Sequence, residues 1–587
     1  MKFMREAVYH RPVDNWCYGY GEDSVHVRLR TKRNDSLSID IVFGDKCRPW
    51  AEMTSKTMDL LSSDEYFDYW QVEVTPAYGR LAYGFLLKEE DEEMWFTERG
   101  LHQQPPTEHL GLFELPYLHP SDTHQPPAWV KEAVFYQIFP ERFANGDPSN
   151  DPEHVLDWGG TPQYFNFFGG DLKGVLENLD HLSELGINAI YFTPLFEAPS
   201  NHKYDTTDYF RIDPHFGTTE DLRTLVDACH ERGIRVILDG VFNHSGITFP
   251  PFQDVVAKGK ESRYFDWFHI KEWPLEVKDG ISNYKTFAFE RTMPKLNTSN
   301  PEVRDYFVQL GRHWIQETGI DGWRLDVANE TDHELWREFR KGVKDAKPDA
   351  YILGEVWHDG MKWLRGDQFD GVMNYPVSHA ILDFFVFGHL DADIFSSRIG
   401  HYLARYPQQA NEACFNHLDT HDTVRLLTLC KGDKDKMKQA VLFQFMYVGA
   451  PSIYYGDEIG LAGEFDPDNR RCMIWDQGQQ DRELYDFYRT LIRLRHKYKA
   501  LTTGSLTFRA AEPGSSVLAF ERCLEEEVML IVMNAGEEAA VANGPAAHGI
   551  WRDLLTGEQH EVREGMLTEE LGPRQFRIWT RVANEQN

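Results

Sequence analysis

Cysteine is scarce in this sequence: seven occur in 587 residues, at 17, 47, 229, 414, 430, 472 and 523. The number is odd and no CxxC pair occurs, which argues against a disulfide scaffold or a zinc site and points to free thiols in a reducing cytoplasm. There is no run of about 18 apolar residues, so no membrane span is expected. The first residues, MKFMREAVYH, lack the apolar stretch of a signal peptide, and a cytoplasmic location is expected. Basic residues are outnumbered, 61 against 94 acidic, for a net charge of −33. Such a surface repels phosphate backbones and anionic lipid, so neither nucleic acid nor membrane is expected as a partner. A neutral substrate meets no such objection. Internal repeats and low-complexity tracts are absent as well.

What is present is globular: 41% hydrophobic, 26% charged, and 14% aromatic. The length calls for several domains. Up to about residue 122 the pattern is β: Val25, Val27 and Leu29 alternate with polar neighbours, and Leu37–Phe43 and Phe67–Val74 are similar runs. An antiparallel sandwich is predicted, ending in the proline-rich LPYLHPSDTHQPP. The acidic run Lys88–Glu93 reads as a solvated turn. After Trp129 the rhythm changes. Eight short apolar runs, each polar at its end, alternate with helical stretches: AVFYQIFPERF, INAIYFTPLF, RVILDGVFNH, IDGWRLDVAN, YILGEVW, FDGVMNY, CFNHLDTHDT and PSIYYGDEIG. Buried parallel strands read this way, and eight of them predict a (β/α)₈ TIM barrel. The predicted division is 1–122 for the sandwich, 123–244 and 298–504 for the barrel, 245–297 for a small domain inserted after the third strand, and 505–587 for a C-terminal β-domain. A helix around Leu484, Phe487, Tyr488 and Leu491 closes the barrel.

Active sites of such barrels lie at the C-terminal strand ends. Strand three supplies Asp239, Asn243 and His244; strand four Arg324 and Asp326; strand five Glu355; strand seven His421 and Asp422. Glycoside hydrolysis needs two carboxylates across the scissile bond, about 5–5.5 Å apart when configuration is retained. Asp326 and Glu355, on consecutive strands, suit that pair. Asp422 suits gripping sugar hydroxyls. Arg324 points the same way as Asp326 along its strand and would hold it ionised.

The blocks INAIYFTP, DGVFNH, GWRLDVANE, GEVW and LDTHDT, in that order, resemble the signature of the α-amylase family of glycoside hydrolases. MPKLN (293–297) and the VANE tail (327–330) resemble its cyclomaltodextrinase, neopullulanase and maltogenic amylase subgroup, whose domain order also fits. The resemblance implies Asp326 as nucleophile, Glu355 as general acid/base and Asp422 as transition-state stabiliser. It places His244, Arg324 and His421 around the sugar at the cleavage point, with Tyr204 stacked on that sugar. Asp466 and Arg470 would bind the next sugar on the non-reducing side, and Glu330 and Trp357 would face the leaving group. Oxygen-rich loops suit Ca²⁺. The segments NGDPSND and FFGGDL therefore suggest a structural calcium site from Asn145, Asp147, Asn150, Asp151, Gly169 and Asp171, and the resemblance places one there. It also implies a homodimer in which the N-terminal domain covers a second subunit's cleft, with aromatics around Trp50, Tyr66, Tyr69 and Trp70 available. The implied activity is hydrolysis of α-1,4-glucosidic bonds in cyclomaltodextrins, short maltooligosaccharides and pullulan, of the cyclomaltodextrinase type. Neopullulanase or maltogenic amylase specificity and transfer to a sugar acceptor are the alternatives. A non-catalytic binding barrel ranks last, because all three carboxylates are kept.

Overall fold

The computed structural model describes residues 3–49, 52–90, 92–563 and 565–582. Trp50 and Asp91 thus lie outside the described residues. Eight parallel strands ring the centre: β1 (Phe135–Ile138), β2 (Ala189–Phe192), β3 (Arg235–Gly240), β4 (Gly322–Leu325), β5 (Tyr351–Gly354), β6 (Gly371–Val372), β7 (Phe415–Asn416) and β8 (Ala450–Tyr454). Pairing runs β6-β5-β4-β3-β2-β1-β8-β7, and a parallel bridge from Met373 to Phe415 closes the ring. Seven of the eight strands fall within the predicted runs, and β8 begins one residue ahead of its run, at Ala450.

Alternation along each strand decides what fills the barrel. Phe135, Ala189, Ile237, Leu353, Met373, Phe415 and Ala450 point inward and form one apolar cluster. Two residues further along their strands, the same inward face carries Gln137, Tyr191, Asp239 and Glu355, joined by Arg324 of β4. Asp239 and Arg324 are register partners, as are Gln137 and Tyr191. The barrel is thus apolar at its base and polar at its mouth. Outside the ring, Trp323 of β4 and Phe242 just past β3 pack with Trp314 and Phe339 of the surrounding helices in the large core. Those helices are well capped: Thr218 and Asp221 form a capping box on Thr219–Glu231, and Asn300 caps Pro301–Thr318. The predicted closing helix is Arg482–Lys497, with Leu484, Tyr488 and Leu491 buried.

At the base of the barrel, Asp321 is fully buried. It accepts hydrogen bonds from Val236 N (2.8 Å), Arg235 (2.8 Å), Lys347 (2.8 Å) and His230 (2.7 Å). Burial pushes its carboxyl up, but the bonds from His230, Lys347 and Arg235 outweigh this and hold it below the usual carboxylate range. A depressed folded-state pKa gives stability that is present above about pH 4 and lost as pH falls. Asp321→Asn is therefore expected to cost about 2 kcal/mol at pH 7. In denaturant unfolding the difference from wild type should narrow below about pH 4; a difference independent of pH would contradict this role.

The N-terminal unit is a sandwich of two antiparallel sheets. One orders Cys17–Gly19, Val25–Lys32, Phe67–Val74 and Asp59–Ser63; the other is built on Ser38–Gly44, Leu81–Glu89 and Glu92–Thr97. Val25, Val27, Leu29, Ile39, Ile41 and Phe85 are fully buried between them. His26 and Arg28 are the polar half of the alternation along Val25–Lys32. Both are nonetheless buried, because this face packs on the barrel: Arg28 donates to the carbonyls of Ala404 (3.0 Å) and Tyr406 (2.7 Å). Between β3 and the helix at Pro301, residues 245–297 hold the helix Pro250–Lys258 and a small hairpin. The segment returns to pair Lys295 with His244 at the barrel mouth. The C-terminal β-unit begins at Ser505 and ends at Arg581 within the described residues.

Candidate active site

The polar mouth of the barrel converges on one guanidinium. Arg324, fully buried, contacts Asp239 through Nη1 at 3.0 Å from both oxygens. It also reaches Asp326 Oδ1 at 2.8 Å and, through Nη2, Glu355 Oε1 at 3.1 Å. Asp326 and Glu355 are 6% and 5% exposed, so both open on the cleft by only a small surface. Glu355 also accepts from Trp357 Nε1 (3.0 Å) and from the Val327 amide (2.8 Å). Val327 has φ 45° and ψ 40°, a left-handed conformation that a β-branched residue adopts at a cost of about 1–3 kcal/mol. Strain next to Asp326 is thus tied to an amide that fixes Glu355.

Electrostatically the cluster is short of cations. Burial raises the Asp326 carboxyl well above its ordinary value; Arg324 opposes this, but Glu355, Asp239 and Asp422 add to the rise. Asp239 is pushed up to about 6, by burial first, against the pull of Arg324 and two tyrosines. Arg324 thus opposes the effect of burial at Asp326, but a single guanidinium serves three carboxylates and the net push on Asp326 is upward.

Around this centre, His244 is buried and stacked on Phe287 (4.9 Å between ring centroids), and its Nε2 has no hydrogen-bond partner in the protein. Burial, then the charge of Lys295, lowers its pKa to about 3, so the ring is neutral. Tyr204 Oη lies 2.8 Å from Asp239 and 2.6 Å from His421 Nε2. His421 Nε2 is 3.3 Å from Asp422, whose side chain is one-third exposed. Arg470 pairs with Asp466 at 3.0 Å, lies 3.5 Å from Asp422, and donates to the His421 carbonyl. Trp357 is 44% exposed and stacks on Tyr375 at 3.8 Å. Glu330, exposed, pairs with Lys295 at 2.9 Å.

Every residue assigned to chemistry or sugar contact from the sequence thus lies in or beside the barrel mouth. Gln137, Tyr191, Lys295, Phe287 and Tyr375 belong to the same region and carried no assigned role. Gln137 and Tyr191 were visible as the polar-tipped residues within otherwise apolar strand runs. The stacking partners Phe287 and Tyr375 had no such signal.

The oxygen-rich loops also meet. Asn145 donates to Asp151 Oδ1 at 2.7 Å, while the side-chain oxygens of Asn145 and Asn150 are buried without partners. Gly169 has φ 82°, and a Cβ there would fall 2.2 Å from Asp151 Oδ1. A side chain at 169 would fill this cradle. Asp147 accepts instead from the amide and hydroxyl of Ser149. Asp171 is the N-cap of the helix Leu172–Glu177, and its carboxylate accepts from the amides of Gly174, Gly146 and Asp147 and from Asn150.

With this geometry in view, the catalytic-domain profile described as "Alpha amylase, catalytic domain" matches residues 137–504. The chain belongs to the α-amylase family. Two further family domains match, an N-terminal Ig-like domain over residues 1–119 and a maltogenic amylase C-terminal domain over 506–578. As a member of the α-amylase family, the chain is a glycoside hydrolase. It is 58% identical over 530 residues to a cyclomaltodextrinase of Bacillus sp, covering 90% of this chain and 95% of that protein. It is 46% identical over 581 residues to neopullulanase 2 of Thermoactinomyces vulgaris, covering 98% and 99%. A solved cyclomaltodextrinase structure superposes with a TM-score of 0.95 at 53% identity, over 99% of this chain and all of that one.

Proposed function

We propose that this α-amylase family member hydrolyses α-1,4-glucosidic bonds with retention of configuration, acting on cyclomaltodextrins and short maltooligosaccharides. The observation that carries this reading is the single buried guanidinium of Arg324 touching both Asp326 and Glu355, which holds two carboxyl groups on neighbouring strands close together. In the first step the Asp326 carboxylate attacks the anomeric carbon while Glu355 gives its proton to the departing oxygen. The sugar is left as an ester on Asp326. In the second, Glu355 takes a proton from water, the hydroxide oxygen bonds to the anomeric carbon, and Asp326 leaves as carboxylate. The first step requires Asp326 to be charged while Glu355 carries the proton.

The free Nε2 of His244, together with Asp422 and His421, would hold the hydroxyls of the reacting sugar, and Tyr204 would lie against its face. Arg470 and Asp466 would take the next sugar on the non-reducing side. Trp357 offers an exposed ring and Glu330 a carboxylate on the leaving-group side.

Two unpartnered amide oxygens, the Asp151 carboxylate and the cramped backbone at Gly169 suit a hard cation such as Ca²⁺. Asn145, Asn150, Asp151 and the Gly169 carbonyl would hold it, with Asp147 and Asp171 supporting the loop, and its contribution would be to pin the loop after β1. A cytoplasmic location accords with seven unpaired cysteines. Among the described residues no helix is long and apolar enough to cross a membrane. We also read the protein as a homodimer through its N-terminal sandwich, where Tyr66 is exposed; a monomeric mass in light scattering would contradict this.

The substrate reading is tested by initial rates on β-cyclodextrin, pullulan, soluble starch and maltotriose. β-Cyclodextrin is expected to be cut at least about tenfold faster than starch. Pullulan as best substrate, yielding panose, would assign neopullulanase specificity, and starch as best substrate would contradict a narrow cleft.

A further inference from the structure

Gln137 stands on the inward face of β1 and is 1% exposed. Its Nε2 lies 2.7 Å from Nδ1 of His421, which is fully buried. The other ring nitrogen, Nε2, faces oxygen only: Tyr204 Oη at 2.6 Å and Asp422 Oδ2 at 3.3 Å. Tyr204 has one hydroxyl proton. Asp239 Oδ2 takes it at 2.8 Å, alongside a second hydroxyl proton from Tyr191 at 2.6 Å. The Tyr204 oxygen therefore receives its hydrogen bond from His421, which requires a proton on Nε2. A lone pair there would instead face the Asp422 carboxylate. With the proton on Nε2, Nδ1 of a neutral ring is an acceptor, and the Gln137 amide is its donor.

We propose that Gln137 is a positioning residue for the reaction. By donating to Nδ1 it fixes His421 as the neutral Nε2–H tautomer and sets the direction of a hydrogen-bond chain running Gln137, His421, Tyr204, Asp239. The chain keeps the Tyr204 ring against the cleavage point and keeps its hydroxyl proton on Asp239. It leaves the Nε2–H edge of His421 turned to Asp422 and the sugar. An amide N–H at Nδ1 also blocks a second proton on the ring. The charged and titratable groups facing the ring from other elements are Arg470, Arg324, Glu355 and His202; burial, then the two guanidiniums, hold the ring well below the ordinary histidine range. The proposal rests on the reading of His421 as a sugar-facing residue, but not on which glucan is cut.

Gln137→Glu and Gln137→Met separate this role from packing. Glutamate at 137 accepts from Nδ1–H, so it raises the affinity of His421 for a second proton. The acid limb of kcat/KM is then expected to move to higher pH. Gln137→Met removes the donor at similar volume. It is expected to lower kcat roughly 10- to 100-fold, the range seen when the partner orienting a metal-bound histidine is lost, with a smaller change in KM. A packing role alone would lower both variants' melting temperatures and leave the acid limb in place; an unmoved acid limb in folded Gln137→Glu overturns the proposal. The wild type is tested directly by ¹⁵N histidine NMR, with the His421 signals assigned from His421→Asn. An unprotonated Nδ1 and a protonated Nε2 are expected, and the reverse tautomer overturns the proposal even if neither Gln137 variant folds. Because the spectrum reads the ring without turnover, it stands or falls separately from the glucanase reading.

Discussion

Replacing Asp326 with Asn is expected to lower kcat on β-cyclodextrin by about 10⁴-fold or more, since residues that act as a unit in covalent catalysis cannot be removed singly without most of the rate being lost. Glu355→Gln is expected to fall comparably on natural glucans. The two should separate on an aryl maltoside with a good leaving group. Its departure needs no proton, so Glu355→Gln should form the glycosyl-enzyme there while Asp326→Asn should not. Binding should survive in both, because the sugar contacts lie on other residues. Asn at 326 still accepts from Arg324 at the position of Oδ1, and Gln at 355 still accepts from the Val327 amide. Asp326→Asn with kcat within tenfold of wild type would remove it from the nucleophile's role.

Arg324→Met is expected to be the most destabilising single change in the site. The guanidinium is fully buried and pairs with Asp239, Asp326 and Glu355. Removing it leaves three buried carboxyl groups with no counter-charge, a loss of about 3–5 kcal/mol when one partner of a buried pair is deleted. The loss has a pH signature. Without Arg324 the folded-state pKa values of Asp239 and Asp326, already raised by burial, rise further above the unfolded value. Stability from a group with a raised folded pKa is present at low pH and lost as pH rises through that pKa. The variant should therefore approach wild-type stability near pH 4 and fall away toward pH 7, a trend that urea unfolding would read. A pH-independent loss would mean that packing, not charge, is what Arg324 supplies. Activity should be lost at every pH, since neither carboxyl would be held.

Much of this site is legible in the chain because parallel buried strands make their own signal. Each of the eight runs is apolar until its C-terminal end, and the polar residue that breaks the run, such as Asp239, Asp326 or Glu355, is the one that reaches the mouth. Asp422 and Asp466 were legible for another reason: they sit in short ordered motifs. What the sequence hides depends on neighbours far along the chain. Arg28 reads as the polar half of an alternating strand, yet carbonyls at 404 and 406 bury it. Asp171 reads as one more oxygen in an acidic loop, yet three amides and Asn150 fill its carboxylate as a helix cap. The proton balance at Asp326 could not be read from Arg324 alone, because it depends on Asp239 and Asp422 arriving from two other strands. Trp50, named among the aromatics for a subunit contact, lies outside the described residues.

The measurement closest to the central claim is the anomeric configuration of the first product. Proton NMR of wild-type enzyme acting on β-cyclodextrin, recorded faster than mutarotation, shows the new reducing end as it forms. Double displacement through Asp326 requires the α-anomer first, with the β-anomer growing in only by mutarotation. The β-anomer appearing first would mean a single inverting displacement by water, and the assignment of Asp326 as nucleophile would be wrong.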